Sequence, residues 1–83
     1  MIENEDWHSR TIRILIVNYL RMCNPGGKTL TKIHDYVESV TPMGKSYSYI
    51  KENVYWLQDK GFITATQYYQ THLYTSNESS SKY

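Results

Sequence analysis

The residues with chemical reach are concentrated in one stretch, Lys45-Ser46-Tyr47-Ser48-Tyr49-Ile50-Lys51-Glu52-Asn53-Val54-Tyr55-Trp56-Leu57-Gln58-Asp59-Lys60. Ile50, Val54 and Leu57 recur at i, i+4 and i+7, the period of one buried stripe on a helix. With those three inward, Ser48, Lys51, Glu52, Tyr55 and Asp59 face outward, and Lys45, Ser46 and Tyr47 sit at the N-terminal end. A helix so decorated fits a DNA major groove. There Lys reads guanine O6 and N7, Glu accepts from cytosine N4, Ser adapts to either, and Tyr reaches phosphate or the thymine methyl. The same side chains on an isolated helix would only hold water, so the neighbouring elements decide between the two.

Other chemistry has little to build on. His8, His34, His72 and Cys23 show no zinc-ligand spacing, and no glycine-rich phosphate loop follows a strand. His34 and Glu38, at i and i+4, have the spacing to share a metal, but the same spacing is ordinary on a polar helix face. The expectation is a protein that is not an enzyme and carries no metal or cofactor.

A chain of 83 residues has room for one small domain. Hydrophobic and charged contents of 40% and 20% fit a folded domain, and a single cysteine excludes an internal disulfide framework. No apolar run approaches the ~20 residues that span a bilayer, and Glu3, Glu5 and Asp6 give the start the wrong sign for a secretory leader. These features point to a cytoplasmic protein. The net charge of +1 conceals an uneven distribution. From Trp7 to Gly61, eight basic residues (Arg10, Arg13, Arg21, Lys28, Lys32, Lys45, Lys51, Lys60) face four acidic ones (Asp35, Glu38, Glu52, Asp59), a balance of +4. The acidic surplus lies at the ends. Nine tyrosines against one phenylalanine suggest half-buried contact surfaces, or else a compositional bias of the lineage.

The elements that must position the Ser46 helix can be placed in order. Residues 1–6 read as a flexible tail. Ile12, Leu15, Ile16, Tyr19, Leu20 and Cys23 form the inward stripe of a first helix from Trp7, stopped by Asn24-Pro25-Gly26-Gly27. Ile14 and Val17 fall on its other side, among Arg10, Arg13 and Arg21 and near Trp7. Thr31 is placed to cap a second helix through Val40 that buries Ile33, Tyr36, Val37 and Val40. Thr41 to Lys45 forms the link. Ser46 caps the third helix, Gly61 ends it, and Tyr49 and Trp56 extend the core from its flank. Phe62–Gln67 and Thr71–Thr75 read as two strands joined by Tyr68-Tyr69-Gln70. Ser76 to Tyr83 has no apolar periodicity and reads as a disordered tail.

Helix, then Leu57-x-x-x-Gly61-Phe62-Ile63, then hairpin resembles the recognition helix and wing of winged helix-turn-helix DNA-binding domains. Ile50, Val54, Leu57, Gly61 and Ile63 carry the resemblance. Leu30-Thr31 followed by Ile33, Tyr36 and Val37 is similar to the family's second helix, so the likeness covers roughly residues 12–75. It implies a mostly helical α+β domain over residues 7–75, with three helices and a two- to three-stranded β-wing, the extra strand at Lys28-Thr29-Leu30. It further implies a small transcriptional regulator of prokaryotic, plasmid or viral type. Contacts to double-stranded DNA are expected from Ser46, Tyr47, Ser48, Lys51, Glu52, Tyr55 and Lys32, from Lys45 and Arg13 to the backbone alone, and from Tyr68, Tyr69 and Gln70 at the wing tip. A homodimer on a near-palindromic site is expected, joined through Trp7, Ile14 and Val17 of the first helix. Between Gly61 and Ser81 there is no Lys or Arg. That keeps a second reading open, in which the hairpin meets a protein and the domain is an interaction module without specific DNA binding.

Overall fold

Three helices and a hairpin follow one another along the chain: α1 (Trp7–Met22), α2 (Leu30–Val40), α3 (Tyr47–Asp59), β1 (Ile63–Tyr68) and β2 (Thr71–Ser76). The computed structural model describes residues 7–23, 26–42 and 44–77. The expected tail at 1–6, the helix stop at Asn24-Pro25, Met43 of the link and residues 78–83 of the second tail lie outside the described residues.

The architecture is α+β, with the helices packed pairwise and a two-stranded antiparallel sheet laid against them. Each helix gives one apolar face to a common core: Ile12, Ile16, Val17 and Leu20 from α1, Ile33 and Val37 from α2, Ile50, Val54 and Leu57 from α3. Ile63 and Tyr74 of the hairpin close it. Val17 was expected outside and is fully buried. The reason is that α1 packs on α2, α3 and β2 together, so its covered arc is wider than one 3.6-period stripe. Leu15, Tyr19 and Cys23, expected on the inward stripe, are only partly buried. Val40, expected in the core, is 49% exposed, because the last turn of α2 runs past its neighbours.

Local signals set the ends of the elements. Ser46 caps α3, its Oγ accepting from the Tyr49 N–H at 3.1 Å. At the other end Gly61 takes φ +86°, the Phe62 N–H donates to Leu57 O at 2.9 Å and the Gly61 N–H to Gln58 O at 3.1 Å. This pair of bonds is a Schellman closure. It uses Phe62, which therefore links helix and hairpin and does not begin the strand as expected. The cap of α2 is Thr29, its Oγ1 accepting from the Lys32 N–H at 3.3 Å, so the expected cap Thr31 lies inside the helix. Leu30 belongs to α2 as well. The expected third strand reduces to one residue: the Lys28 N–H donates to Tyr74 O at 3.0 Å and the Tyr74 N–H to Lys28 O at 2.8 Å.

The hairpin runs in register from Ile63 opposite Ser76 to Tyr68 opposite Thr71, which leaves Tyr69-Gln70 as a two-residue turn. Ser76 and Asn77, expected in the flexible tail, belong to the folded part. Ser76 ends β2 and is buried, while Asn77 donates its N–H to Phe62 O at 3.0 Å and its Nδ2 to Gly61 O at 2.7 Å. Asn77 thus ties the hairpin's far end back to the close of α3. Gly27, at φ +75°, lies so near β2 that a Cβ there would meet Leu73 Cβ and Thr75 Cγ2 at 3.2 Å.

Leu57 is fully buried at the last core turn of α3, beside the closure that sets the hairpin's direction. Leu57→Ala is expected to cost about 2–5 kcal/mol in denaturant unfolding, through lost burial and the cavity left behind. A midpoint equal to that of the wild type would show that Leu57 does not face the core.

Candidate functional site

The sequence-predicted residues divide into those the fold gathers and those it does not. Tyr47, Lys51 and Tyr55, four residues apart along α3, face the turn end of the hairpin. With Gln70, Thr71, His72, Tyr74 and Leu30 they line an open groove of about 210 Å³. Four of the predicted residues, Tyr47, Lys51, Tyr55 and Gln70, therefore share one concave surface although 15 positions separate Tyr55 from Gln70. Among the described residues no carboxylate lines it. The lining offers an ammonium, phenols, an amide, a hydroxyl and an imidazole, a set rich in hydrogen-bond donors and suited to an anionic, oxygen-rich ligand.

Ser46, Ser48 and Glu52 are exposed along α3 beside the groove. Lys45 is half-buried, with its Nζ 4.7 Å from the centre of the Tyr49 ring. Lys32 is exposed on the first turn of α2. Tyr68 and Tyr69 are exposed at the hairpin turn, their rings edge to face at 4.6 Å. Neither lines the groove. Tyr69 is 83% exposed and holds φ +57°, a left-handed conformation that glycine adopts without penalty and a tyrosine does not.

Arg13, expected to meet the DNA backbone, is half-buried between α1 and α3. Its Nε donates to Asn53 Oδ1 at 2.8 Å, and its guanidinium carbon lies 3.8 Å from the centre of the Trp56 ring. Asn53, only 4% exposed, donates its Nδ2 to Tyr49 O at 3.0 Å, and the Tyr49 hydroxyl shares a 2.8 Å hydrogen bond with Ser9 Oγ. Trp56 also stacks on Phe62 at 6.3 Å. Tyr49 and Trp56 thus extend the core as expected, and they form a polar lock with Arg13 and Asn53. Asn53 went unrecognised in the sequence because its partner lies 40 residues away, and its neighbour Val54 alone marks the inward face.

Among the described residues no group of three or more His, Cys, Asp or Glu is placed to hold a metal ion. His34 has its Nδ1 3.9 Å from Asp35 Oδ1, and its ring sets edge-on to Tyr47 at 5.8 Å. Among the described residues no helix is long and apolar enough to cross a membrane. The chain matches no protein-family model. No curated protein matches it at a significant level.

Burial, followed by the neighbouring Tyr55 and Tyr47 phenols, raises the Tyr74 hydroxyl above its ordinary value of 10.0. Tyr19 is raised as well, by burial first and then by Cys23, Tyr36 and Asp35. A raised acid is favoured in its neutral form by folding, so its stabilising contribution is complete below pH 10.0 and is lost as pH rises through the folded value. Stability is therefore expected to fall on alkaline titration, and Tyr74→Phe to make that fall shallower, as read by unfolding midpoints across the alkaline range. An equal fall in wild type and variant would show that Tyr74 is not shifted. Tyr69→Gly is expected to raise stability by up to about 1 kcal/mol by relieving the left-handed strain. A lower unfolding midpoint would contradict that strain.

Proposed function

We propose that this chain is a winged helix-turn-helix domain of a cytoplasmic transcriptional regulator, non-catalytic and free of cofactors, that binds double-stranded DNA. In this reading α3 enters the major groove and the hairpin is the wing. The observation that carries it is the convergence of Tyr47, Lys51 and Tyr55 with Gln70, Thr71 and His72 on one groove, with no carboxylate of the described residues in its lining. An α-helix with its side chains is about 10–12 Å across, and the major groove is about 12 Å wide. With α3 so inserted, the sugar-phosphate strand along that groove would run between helix and hairpin. Lys51, one turn in from the helix start, reaches base edges or the nearest phosphate, and Ser46, Ser48 and Glu52 complete the reading edge. Lys45 and Lys32 meet only the backbone, and the hairpin contributes neutral donors in place of cations. Arg13 is left out, since its side chain holds α1 to α3.

A second reading has its own support. The Tyr-rich turn, with Tyr69 largely exposed and no Lys or Arg between Gly61 and Ser81, suits a protein partner as well as a phosphate. In that case the domain is an interaction module without specific DNA binding.

Selection from a randomised duplex pool followed by titration of three variants separates the two. Lys51→Ala is expected to weaken the selected site by about 1–3 kcal/mol and to relax the preferred sequence if it reads a base. Lys45→Ala is expected to weaken all duplexes alike and to lower the salt slope by about one ion. Tyr55→Phe, which keeps the ring, is expected to lose about 1 kcal/mol with sequence preference unchanged. A pool that yields no enriched sequence, or three variants that bind every duplex like the wild type, would transfer the function to the protein-binding reading.

A further inference from the structure

The hairpin reaches the groove without a fixed positive charge, since no Lys or Arg lies between Gly61 and Ser81. Its one side chain able to gain charge near neutral pH is His72, which is exposed and lines the groove beside Gln70, Thr71 and Tyr74. Across the groove α3 supplies Lys51 together with Tyr47 and Tyr55, and α2 supplies only the apolar Leu30. On β1 the residue opposite His72 is the neutral Gln67, and within β2 its ring lies 6.5 Å from that of Tyr74. The groups around this imidazole are therefore one ammonium and three phenols, with no carboxylate of the described residues among them. Phenols ordinarily titrate near about pH 10, and Tyr74 is pushed higher still by burial and then by Tyr55 and Tyr47. Between about pH 5 and 8 the charge of the groove can change only at His72.

We propose that His72 is the hairpin's phosphate-binding cation: as the sugar-phosphate strand settles between α3 and the hairpin, the imidazole takes up a proton from solvent and holds a phosphate opposite Lys51, so that duplex binding tightens as pH falls. This deepens the DNA reading and rests on it. A phosphate offers only acceptors, and the amide of Gln70 and the hydroxyl of Thr71 meet it as neutral donors. The imidazole, once protonated, donates from both ring nitrogens and carries a charge, which makes its bond to an anion roughly twice as strong as a neutral one. An anion within about 4–6 Å favours the charged form of such a group. No Asp or Glu occurs from Gly61 to Asn77, so on the hairpin that anion has to be the ligand's own phosphate. Proton uptake is thereby tied to the arrival of the strand. The complex then holds more protons than the free chain, so affinity rises as pH falls through the imidazole range. A Lys or Arg at this position would grip the backbone at every pH. An imidazole makes the grip conditional on acidity.

Titration of the full chain with a duplex selected from the randomised pool, at about pH 8 and about pH 5.5, tests this across the imidazole range. If phosphate contact raises the pKa of the imidazole by one unit, binding at the acid end is about tenfold tighter, and the salt slope there steepens by about one ion. His72→Gln keeps a neutral donor but cannot take the proton. It is expected to bind like the wild type at the higher pH, which also shows it to be folded, and to lose both gains at the lower. His34→Gln is expected to keep them, because His34 sets its ring on Tyr47 from outside the groove lining. Calorimetry of the unmodified chain in two buffers of unlike protonation enthalpy is expected to show net proton uptake on binding near about pH 6.5. Equal affinity at the two pH values, or an acid gain that survives in His72→Gln, overturns the inference and leaves the DNA reading standing. A chain that binds no duplex at either pH overturns both.

Discussion

How α3 is rolled about its own axis decides what the rest of the molecule presents. Ile50, Val54 and Leu57 turn one side into the core, and the hydrophobic term alone would tolerate some rotation about that stripe. Asn53 removes the slack. Its buried amide oxygen accepts from Arg13 Nε on α1, and rolling α3 would break that bond and leave the oxygen unpaired in a dry setting, while the Nδ2 bond to Tyr49 O lies within α3 and turns with it. Arg13, pressed on Trp56, fixes the same roll from the side of α1. With that angle set, Tyr47, Lys51 and Tyr55 must face the hairpin, and Ser48 and Glu52 must face solvent.

The hairpin is held in place independently, which is what makes the groove a defined surface. The closure, made by the Gly61 and Phe62 N–H groups, sets its departure from α3, and Asn77 pins its return strand to the carbonyls of those same two residues. Midway along, Tyr74 is paired with Lys28 and backed by Gly27, where any side chain would push β2 outward. Two anchored walls so close together carry donors from segments far apart in sequence. Positioning of this kind gives polar groups their specificity, since little order remains to be acquired on binding.

Much of this was legible in the sequence wherever the cause was local. Ser46 as a cap, the Ile50-Val54-Leu57 stripe and Gly61 as a helix end are each written within a turn of where they act, and the structure has them as expected. Boundaries shifted where two neighbours competed for one role. Thr29 and Thr31 can both cap, and the one preceding Leu30 does so. Phe62 has strand-like character, yet the Schellman closure takes it. Val17 and Val40 were misplaced because burial depends on how many elements surround a helix, which periodicity within one helix cannot report. Arg13 with Asn53, and Tyr55 with Gln70, were beyond reach for a plainer reason: the whole of α2 separates the first pair and the end of α3 with β1 the second, so only the folded chain brings them together.

The central claim, that the outward face of α3 and the groove beside it form a DNA surface, is tested most directly by amide shift mapping of the labelled chain during titration with a selected duplex. The largest changes are expected at Ser46 to Tyr55 and at Gln70 to His72, with the outer stripe of α1 unmoved unless two copies share the duplex. They should diminish as salt is raised, because phosphate contacts release counterions. Changes confined to the hairpin turn, or no changes at all with any duplex, would contradict the claim.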